Sequence, residues 1–270
     1  MKWEERIFPG VLSNWRSILG FCKYALVNSF SIPQLTDFLE STIHNIVFVA
    51  VSEWMKERAE VNWKCKKEWE WNVIPNIVNT DKFNYVEKSP SYVNKLLSIR
   101  PFTTGKYAND ITVECISKLI KDFSYINIEA TIIGKGPQYE RIVSPIKNIP
   151  NINLVNRFLD SDEIISYHKK NGLFICPTRQ DAQGVSMCEA MASGLVPITL
   201  YNTAIPEFLP NDERLVCHDV NDMIQLIIRL IQNPQEFLYL SKLCRSYIDK
   251  KCGYKETVEK EIELFKRLER

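Results

Sequence analysis

The sequence predicts an α/β protein that contains a parallel sheet covered by helices. From about residue 95, short apolar runs alternate with amphipathic stretches along the chain. The runs are apolar on both faces, and such strands require helices on both sides of the sheet, as in parallel sheets with helical crossovers. The chain has 270 residues, of which 45% are hydrophobic and 25% are charged, so it is long enough and apolar enough to form a globular core.

Six apolar runs are predicted as strands, and the stretches between them as helices. The strands are expected at 96–99, 128–133, 152–155, 173–176, 196–200 and 215–217. The helices are expected at about 108–121, 137–146, 161–170, 186–193 and 219–231, with a further helix from Pro234 to Gly253. Together these elements predict one complete Rossmann-like domain over 95–253. Right-handed crossovers place the carboxyl ends of its strands at one edge, where ligands bind to such sheets.

The first seventy residues predict less sheet than a complete domain needs. The apolar run 46–51 is one buried strand. Helices are expected at 11–28 and at 53–60, the second with Ser52 as its N-cap. One strand cannot form a sheet, so residues 1–72 are predicted to be a partial N-terminal α/β domain, joined to the rest by a linker over 73–94.

Composition argues against several classes of protein. Lys plus Arg number 34 and Asp plus Glu 33, whereas a nucleic-acid-binding protein usually carries a basic excess. No apolar run reaches the roughly 18 residues of a membrane span, and the N-terminus lacks the pattern of a signal peptide. The eight cysteines form no Cys-x-x-Cys pair, and several lie within apolar runs, which favours buried free thiols over a metal site. A cytoplasmic protein that binds neither nucleic acid nor metal is expected.

The most informative stretch lies at 177–198, where the chain leaves a predicted strand and enters a helix near Val185. Gly184 allows the backbone to approach a ligand closely. The first N–H groups of the helix, at Val185 and Ser186, have no intrahelical partner and carry the positive end of the helix dipole. Such a helix start favours the binding of a phosphate.

Two carboxylates accompany this phosphate site. Asp181 precedes the predicted helix and Glu189 follows about one turn inside it, so they reach different parts of one ligand. The pattern resembles the donor-binding motif of retaining glycosyltransferases with the GT-B fold, in particular glycosyltransferase family 4, also called group 1. In that motif two Glu residues stand eight positions apart, and Ala-Met-Ala-x-Gly follows the second. Residues 189–194 match fully, whereas Asp181 stands where the first Glu is usual.

Other landmarks of the same family follow in order. Arg100 and Lys106 resemble the pair that neutralises the donor diphosphate. Gly134 and Gly136 belong to a Gly-x-Gly-Pro turn that lies beside the donor in this family, and Arg157 stands where a Gly is usual near the nucleobase. The strand and helix at 51–55, the linker motif at 72–76 and the later Phe83 also match, so the resemblance covers about residues 46–270.

The resemblance implies an enzyme that transfers a sugar from a nucleotide-diphosphate donor to a hydroxyl of a glycan or glycolipid, with retention, in surface polysaccharide or glycolipid synthesis. It implies that Arg100, Lys106 and the amides at 184–186 stabilise the leaving diphosphate. It also implies that Glu189 hydrogen-bonds the ribose and that Asp181 lies beside the donor sugar. No metal ion or other cofactor is expected. Such an enzyme would work in the cytoplasm, and peripheral association with the inner face of the membrane is left open.

Two features leave alternatives open. A GT-B enzyme has two Rossmann-like domains, so the single strand within 1–72 fits either an enzyme or an inactive or incomplete donor-binding half that another chain completes. The helix predicted at 254–270 crosses back to the N-terminal domain in this family. With little domain to cover, its apolar stripe of Val258, Ile262 and Phe265 should be partly exposed, which predicts self-association or a partner chain.

Some residues also have a purely structural alternative. Lys106 is either a diphosphate ligand or a solvated charge at a helix start, and Arg157 lies either near the nucleobase or on the surface. The Trp- and Lys-rich segment 63–71 is either a surface for an anionic membrane or an acceptor, or a solvated turn. His44 is expected to be structural rather than catalytic.

Overall fold

The computed structural model describes residues 15–41, 46–63 and 69–269. Contacts divide the chain into two compact units, Met1–Pro75 and Asn76–Arg270. Within the described residues, no helix is both long enough and apolar enough to span a membrane.

The first unit combines two helices with a two-stranded parallel sheet. In chain order its elements are α1 (Trp15–Ser41), β1 (Val47–Ala50), α2 (Glu53–Trp63) and β2 (Glu70–Val73). The predicted first helix is confirmed from Trp15 onward, and it continues past Pro33 to Ser41. The Ser52 hydroxyl accepts a hydrogen bond from the N–H of Met55 at 3.2 Å, which confirms the predicted N-cap of α2.

The prediction of a single strand in this unit is wrong. β2 pairs in parallel with β1, and Trp71 lies opposite Phe48. Sequence reasoning missed β2 because its four residues include Glu70 and Asn72, which break the apolar pattern of a buried strand. The Phe48 and Trp71 rings stack with centroids 4.9 Å apart, and Trp63 stacks on Trp71 at 5.5 Å. An aromatic cluster therefore joins the two strands to the end of α2.

Two sequence predictions fall partly or wholly outside the described residues. His44 lies outside them. So does 64–68, the Lys-rich centre of the Trp- and Lys-rich segment, while the flanking Trp63, Trp69 and Trp71 pack around Phe48. For these three tryptophans the packing favours the structural alternative.

The second unit contains a five-stranded parallel sheet in the order β5-β4-β3-β6-β7. Its strands are β3 (Lys95–Ile99), β4 (Glu129–Ile133), β5 (Ile152–Val155), β6 (Leu173–Ile175) and β7 (Val196–Ile198). Every residue of β6 and β7 is buried, as are Leu96 and Leu97 of β3, so the sheet forms the core of this unit. Five of the six predicted strands are confirmed.

The sixth predicted strand, at 215–217, is wrong. Glu213–Leu215 is a 3-10 helix instead. Leu215 and Cys217, the apolar residues that suggested a strand, are buried. A backbone hydrogen bond from Tyr201 N to Cys217 O, at 2.7 Å, holds the segment beside the last strand. The apolar pattern correctly predicted that this segment is buried, but burial alone does not decide the backbone conformation.

Helices follow the strands, as predicted. They are α3 (Asn109–Asp122), α4 (Tyr139–Val143), α5 (Ser161–Lys170), α6 (Val185–Ala192), α7 (Val220–Gln232), α8 (Pro234–Cys252) and α9 (Val258–Leu268). Asp160 and Glu163 form a capping box at the start of α5, and Asp219 accepts from two N–H groups at the start of α7. α4 is shorter than predicted because the chain continues as the 3-10 turn Ser144–Ile146, which contains a proline.

The segment 76–94, most of the predicted linker, packs within the second unit. Val78, Phe83 and Val93 are buried. The N–H of Val78 donates to the carbonyl of Cys252 at 3.0 Å, next to the end of α8. The segment therefore contributes to the core of this unit.

Two further predictions concern burial. The apolar stripe of α9 is partly exposed, as expected, because Ile262 is 39% and Phe265 is 63% exposed. The predicted buried free thiols are confirmed for the cysteines of the second unit, namely Cys115, Cys176, Cys188, Cys217, Cys244 and Cys252.

Candidate functional site

Several predicted site residues meet at the point where the strand order of the sheet reverses. β3 and β6 are neighbours, but the chain continues from β3 toward β4 and β5 on one side and from β6 toward β7 on the other. The segments that leave the carboxyl ends of β3 and β6 therefore diverge, and sheets of this kind bind ligands in the crevice between such segments. Arg100 directly follows β3, and the segment 177–184 follows β6.

Arg100 is the buried cation of this crevice. Its side chain is 5% exposed. Its Nη1 donates to Ser186 Oγ at 2.9 Å, and its Nη2 lies 3.4 Å from Asp181 Oδ2. Its Nε has no hydrogen-bond partner within the described residues. A buried guanidinium with an unused donor is suited to bind an anion.

Asp181 organises the loop between β6 and α6. Its Oδ1 accepts from the N–H of Gly184 at 2.8 Å and from that of Gln183 at 3.3 Å, while Oδ2 faces Arg100. An aspartate suits this position because its short side chain can bind amides two and three residues further on, as in an Asx turn. Both carboxylate oxygens are thus engaged by the protein, and the place of Asp181 beside a donor sugar stays a prediction.

α6 begins at a glycine in the left-handed conformation. Gly184 has a φ of +75°, and a Cβ there would lie 2.9 Å from Ile205 Cδ1, so a larger residue would be strained and crowded. The N–H groups of Val185 and Ser186, in the first turn of α6, have no partner among the residues that the structure describes. Two free amides at the positive end of a helix therefore lie beside the Arg100 guanidinium.

Lys106 lies in the 3-10 turn Gly105–Tyr107, on the segment that follows β3. Its Nζ is 4.8 Å from the centroid of the Tyr107 ring, and the Cζ of Arg100 is 5.2 Å from the same centroid. The two cations predicted to bind the diphosphate thus share one aromatic neighbour. In the described part of the chain, no carboxylate lies within ion-pair distance of Lys106, so its charge is available to a ligand.

Arg179 joins the two segments of the crevice, and sequence reasoning missed it. Its guanidinium donates two hydrogen bonds to the Asp110 carboxylate, at 2.8 and 2.7 Å. Its Nη1 also donates to the carbonyl of Gly105 at 3.0 Å, and its backbone N–H to the carbonyl of Lys106 at 2.9 Å. Arg179 belongs to the informative stretch 177–198, but nothing in the sequence indicates a partner 69 residues earlier.

Gln183 anchors the other end of the loop and was also missed. It is 2% exposed. Its Oε1 accepts from the backbone N–H and the side-chain amide of Asn76, at 2.8 and 2.9 Å, and its Nε2 donates to the Asn76 carbonyl at 2.9 Å. Because a buried amide side chain is stable only when its polar atoms are paired, these bonds fix the loop to the segment that precedes the sheet.

Glu189 lies in the second turn of α6 and is half-buried. Burial raises the pKa of its carboxyl from the ordinary 4.5 to about 7, and the positive charge of Lys82 opposes this rise. Its side-chain oxygens have no hydrogen-bond donor among the described residues. A carboxylate in this state is suited to accept hydrogen bonds from the hydroxyl groups of a ligand.

The two predicted glycines after β4 pack against the backbone of the segment that carries Arg100. A Cβ on Gly134 would lie 1.9 Å from the carbonyl oxygen of Arg100, and a Cβ on Gly136 would lie 2.3 Å from the carbonyl carbon of Phe102. The N–H of Phe102 donates to the carbonyl of Lys135 at 3.0 Å. The glycines thus allow close packing against the segment that carries Arg100, and their place beside a donor stays a prediction.

Arg157 is not brought together with the other site residues. It follows β5, which is two strands away from β3. Its side chain is 50% exposed and donates to both oxygens of Glu163, at 2.5 and 2.8 Å. This pairing lowers the pKa of Glu163 to about 2. The contacts favour the surface alternative for Arg157, and its role near a nucleobase stays a prediction.

One Asp-x-Asp triplet occurs at 160–162, and two carboxylates at this spacing could hold a metal ion. Asp160 is instead the N-cap of α5, and Asp162 is exposed, 3.9 Å from Lys82 Nζ. Within the described ranges, no three His, Cys, Asp or Glu side chains are grouped as a metal site requires. The metal independence of the reaction stays a prediction.

The sequence profile of a known family covers this whole crevice. The profile, described as "Glycosyl transferases group 1", matches residues 95–233, which is more than half of the chain and includes β3 to α7. The chain belongs to the group 1 glycosyl transferases. The resemblance inferred from the donor-binding motif is confirmed.

Individual relatives agree with this membership. Over 193 residues the chain is 25% identical to alpha-monoglucosyldiacylglycerol synthase of Acholeplasma laidlawii, a match that covers 66% of this chain and 48% of that protein. The chain thus spans about half the length of this curated relative.

Solved structures share the fold. Sucrose-phosphate synthase from Thermosynechococcus elongatus has a TM-score of 0.72 and 16% identity, with 88% of this chain and 61% of that one covered. A mutant of S. aureus TarM in complex with Fondaparinux, alpha-GlcNAc-glycerol and UDP has a TM-score of 0.67 and 19% identity, with 80% and 43% covered. The predicted GT-B fold class is confirmed.

Proposed function

We propose that this group 1 glycosyl transferase binds a nucleotide-diphosphate sugar in the crevice at the carboxyl ends of β3 and β6 and transfers the sugar to a hydroxyl group with retention of configuration. The observation that carries the proposal is the convergence of Arg100, Lys106 and the two free amides of α6. These groups present positive charge and hydrogen-bond donors from separate segments, as an extended anion such as a diphosphate requires.

The main requirement of the proposed reaction is to stabilise the negative charge that develops on the leaving diphosphate. As the bond from the anomeric carbon breaks, the diphosphate takes the bonding electron pair and the sugar gains oxocarbenium character. The acceptor oxygen then forms the new bond on the face that the diphosphate leaves, and its proton passes to an oxygen of the departing diphosphate. The buried guanidinium of Arg100 and the amides of Val185 and Ser186 are fixed before the reaction, so they stabilise the developing negative charge without reorganisation. Lys106 adds a positive point charge.

Two carboxylates are proposed to interact with the ribose and with the sugar of the donor. Glu189 lies one turn further along α6 than the amides, where it accepts hydrogen bonds from the ribose hydroxyls of the donor. Asp181 holds the loop and faces Arg100, and in this proposal it lies at the boundary between the diphosphate and the sugar. Its negative charge there favours the positive sugar of the transition state.

Relatives support one class of donor and acceptor. The TarM structure contains UDP and a glycosylated glycerol, and the A. laidlawii relative is named for the synthesis of a glucosyl lipid. We therefore propose a UDP-linked sugar as donor and a glycolipid or surface glycan as acceptor. A lipid acceptor would bring the protein to the inner face of the membrane.

Calorimetric titration with UDP and GDP tests the proposal. We expect one nucleotide to bind the unaltered chain, and the binding to be lost in Glu189→Ala. Glu259→Ala removes an exposed carboxylate of α9 and should bind as the unaltered chain does. Failure of both nucleotides to bind, or equal loss in both variants, would contradict the proposal.

A second candidate function is donor binding without transfer, with a partner chain that completes the enzyme. The described part of the first unit contributes two strands, which is fewer than a second Rossmann-like sheet needs. Release of UDP from UDP-glucose, measured with vesicles that contain diacylglycerol, separates the two candidates. Release that depends on the vesicles supports the enzyme, whereas binding without release supports the need for a partner.

A further inference from the structure

The crevice contains a second arginine that the proposed function does not use. The side chain of Arg179 is 15% exposed and bound on two sides, by the Asp110 carboxylate and by the Gly105 carbonyl. The carbonyl of Lys106 accepts from the N–H of Arg179 at 2.9 Å and from Thr178 Oγ1 at 3.1 Å. Two consecutive residues after β6 therefore hold the segment that carries Lys106.

That segment is fixed at its two ends, by the buried Phe102 and by Asn109, whose Nδ2 donates to the carbonyl of Pro101 at 2.8 Å. Its 3-10 turn has no side-chain cap, and Thr103 and Thr104 before it are exposed. Ala108 after it has a φ of +48°, a left-handed conformation that a residue with a Cβ adopts only when its surroundings impose it. Between those two ends, the bonds from Thr178 and Arg179 are the ones that hold the backbone at Gly105 and Lys106 to the segment after β6.

We propose that Arg179 is a positioning residue for Lys106, which rests on the proposed function. By binding Asp110 and the Gly105 carbonyl at once, Arg179 sets the point from which the Lys106 ammonium reaches the diphosphate. A guanidinium binds both carboxylate oxygens of Asp110 through two nitrogens while one of them also reaches the Gly105 carbonyl, whereas a lysine has one nitrogen and cannot form this planar fork. Arg179 is neutralised by Asp110, so its effect on a bound anion passes through Lys106 rather than through its own charge.

Calorimetry on the full chain with UDP and with uridine tests this role. Arg179→Lys keeps the charge but loses the fork, and we expect its affinity for UDP to fall roughly ten-fold. Its affinity for uridine should not change, because uridine lacks the diphosphate that Lys106 binds. Lys106→Met should show the same pattern, and Arg179→Lys should cause no further loss when added to Lys106→Met.

Arg214→Lys is the matched control. Arg214 forms a similar two-bond fork with Asp212, at 2.8 and 2.6 Å, elsewhere in the same unit. Loss of that fork should lower the melting temperature about as much as Arg179→Lys does and leave the affinity for UDP unchanged. A general effect of losing an arginine fork would instead weaken UDP binding in both variants.

Each outcome decides between the two proposals. If neither UDP nor GDP binds the unaltered chain, the proposed function fails and this inference fails with it. If UDP binds and Arg179→Lys binds it equally well, or if the losses in Arg179→Lys and Lys106→Met add in full, this inference fails alone. Should Arg179→Lys not fold, Asp110→Asn is used, for which we expect a smaller loss that is again specific to UDP. If GDP binds in place of UDP, GDP and guanosine serve as the pair.

Discussion

Arg100 and Arg157 both follow strands of the same parallel sheet, and their surroundings are opposite. Arg100 is 5% exposed, lies 3.4 Å from its carboxylate partner and keeps its Nε without a partner in the described residues. Arg157 is 50% exposed, and both of its Nη atoms donate to Glu163. A position at the end of a strand is therefore not sufficient to form an anion site. Arg100 differs because its guanidinium is buried and because its charge and its N–H donors are only partly paired by the protein.

Removal of the buried cation should have the largest effect. Arg100→Met keeps most of the side-chain volume but removes the charge and the bonds to Ser186 and Asp181. We expect the affinity for UDP to fall roughly a hundred-fold or more, because a charged hydrogen-bonding partner of the diphosphate is lost. Calorimetry measures the affinity. Circular dichroism at 25 °C confirms that the variant is folded, and tight UDP binding by a folded variant would contradict the account.

The second effect concerns Glu189. Glu189→Gln keeps the shape but makes a weaker acceptor for the ribose hydroxyls, so UDP affinity at pH 8 should fall roughly ten-fold. The affinity of the unaltered chain should also fall as the pH decreases through about 7, where the carboxyl becomes protonated. A titration series from pH 6 to pH 8 checks both expectations. A flat pH profile would argue against an ionised Glu189 as the ribose ligand.

The same substitution should change stability in the opposite direction. Burial raises the pKa of Glu189 from 4.5 to about 7 in the folded state, so its contribution to stability is full below 4.5 and is lost as the pH rises through 7. Glu189→Gln cannot ionise and avoids that loss. We expect the melting temperature of the variant to exceed that of the unaltered chain at pH 8 by more than at pH 5. The opposite order would show that Glu189 is stabilised as a carboxylate.

A smaller effect is expected at Asp181. Asp181→Asn keeps an oxygen for the N–H groups of Gly184 and Gln183 but removes the negative charge that faces Arg100. UDP no longer competes with a carboxylate for the guanidinium, so its affinity should rise about three-fold, while stability falls by about 1 kcal/mol. Calorimetry and chemical unfolding measure the two changes. Weaker UDP binding would mean that Asp181 contributes to the nucleotide site directly.

The smallest effect is expected at the other arginine. Arg157→Met breaks an exposed ion pair with Glu163, which contributes little to stability. UDP affinity should stay within about two-fold of the unaltered chain, since no described contact links Arg157 to Arg100. A larger loss, measured in the same titration, would restore the prediction that Arg157 lies near the nucleobase.

The sequence predicted the second unit well because its signals are local. Alternating apolar runs and the glycine at 184 each act within a few residues, and the structure has the corresponding strands and helix start. The strand predicted at 215–217 was wrong because Leu215 and Cys217 are buried but do not pair with another strand. The strand that sequence reasoning missed, β2, mixes polar and apolar residues and is only partly buried, and Trp71 within it stacks on Phe48 of β1.

The site was predicted in part for the same reason. Arg100, Lys106 and the start of α6 belong to family motifs, so pattern alone identified them. Arg179 and Gln183 act through Asp110 and Asn76, which are 69 and 107 residues away. Pairings at such separations depend on how the segments meet at the edge of the sheet, and a single sequence carries no record of them.

In the proposed site, a diphosphate lies in the crevice at the carboxyl ends of β3 and β6, against the free amides of α6. Amide hydrogen exchange, followed residue by residue by NMR with and without UDP, tests it most directly. Exchange at Val185 and Ser186 should slow when UDP is added, and exchange at 157–163 should not change. Unchanged exchange at Val185 and Ser186, with protection at 157–163 instead, would contradict it.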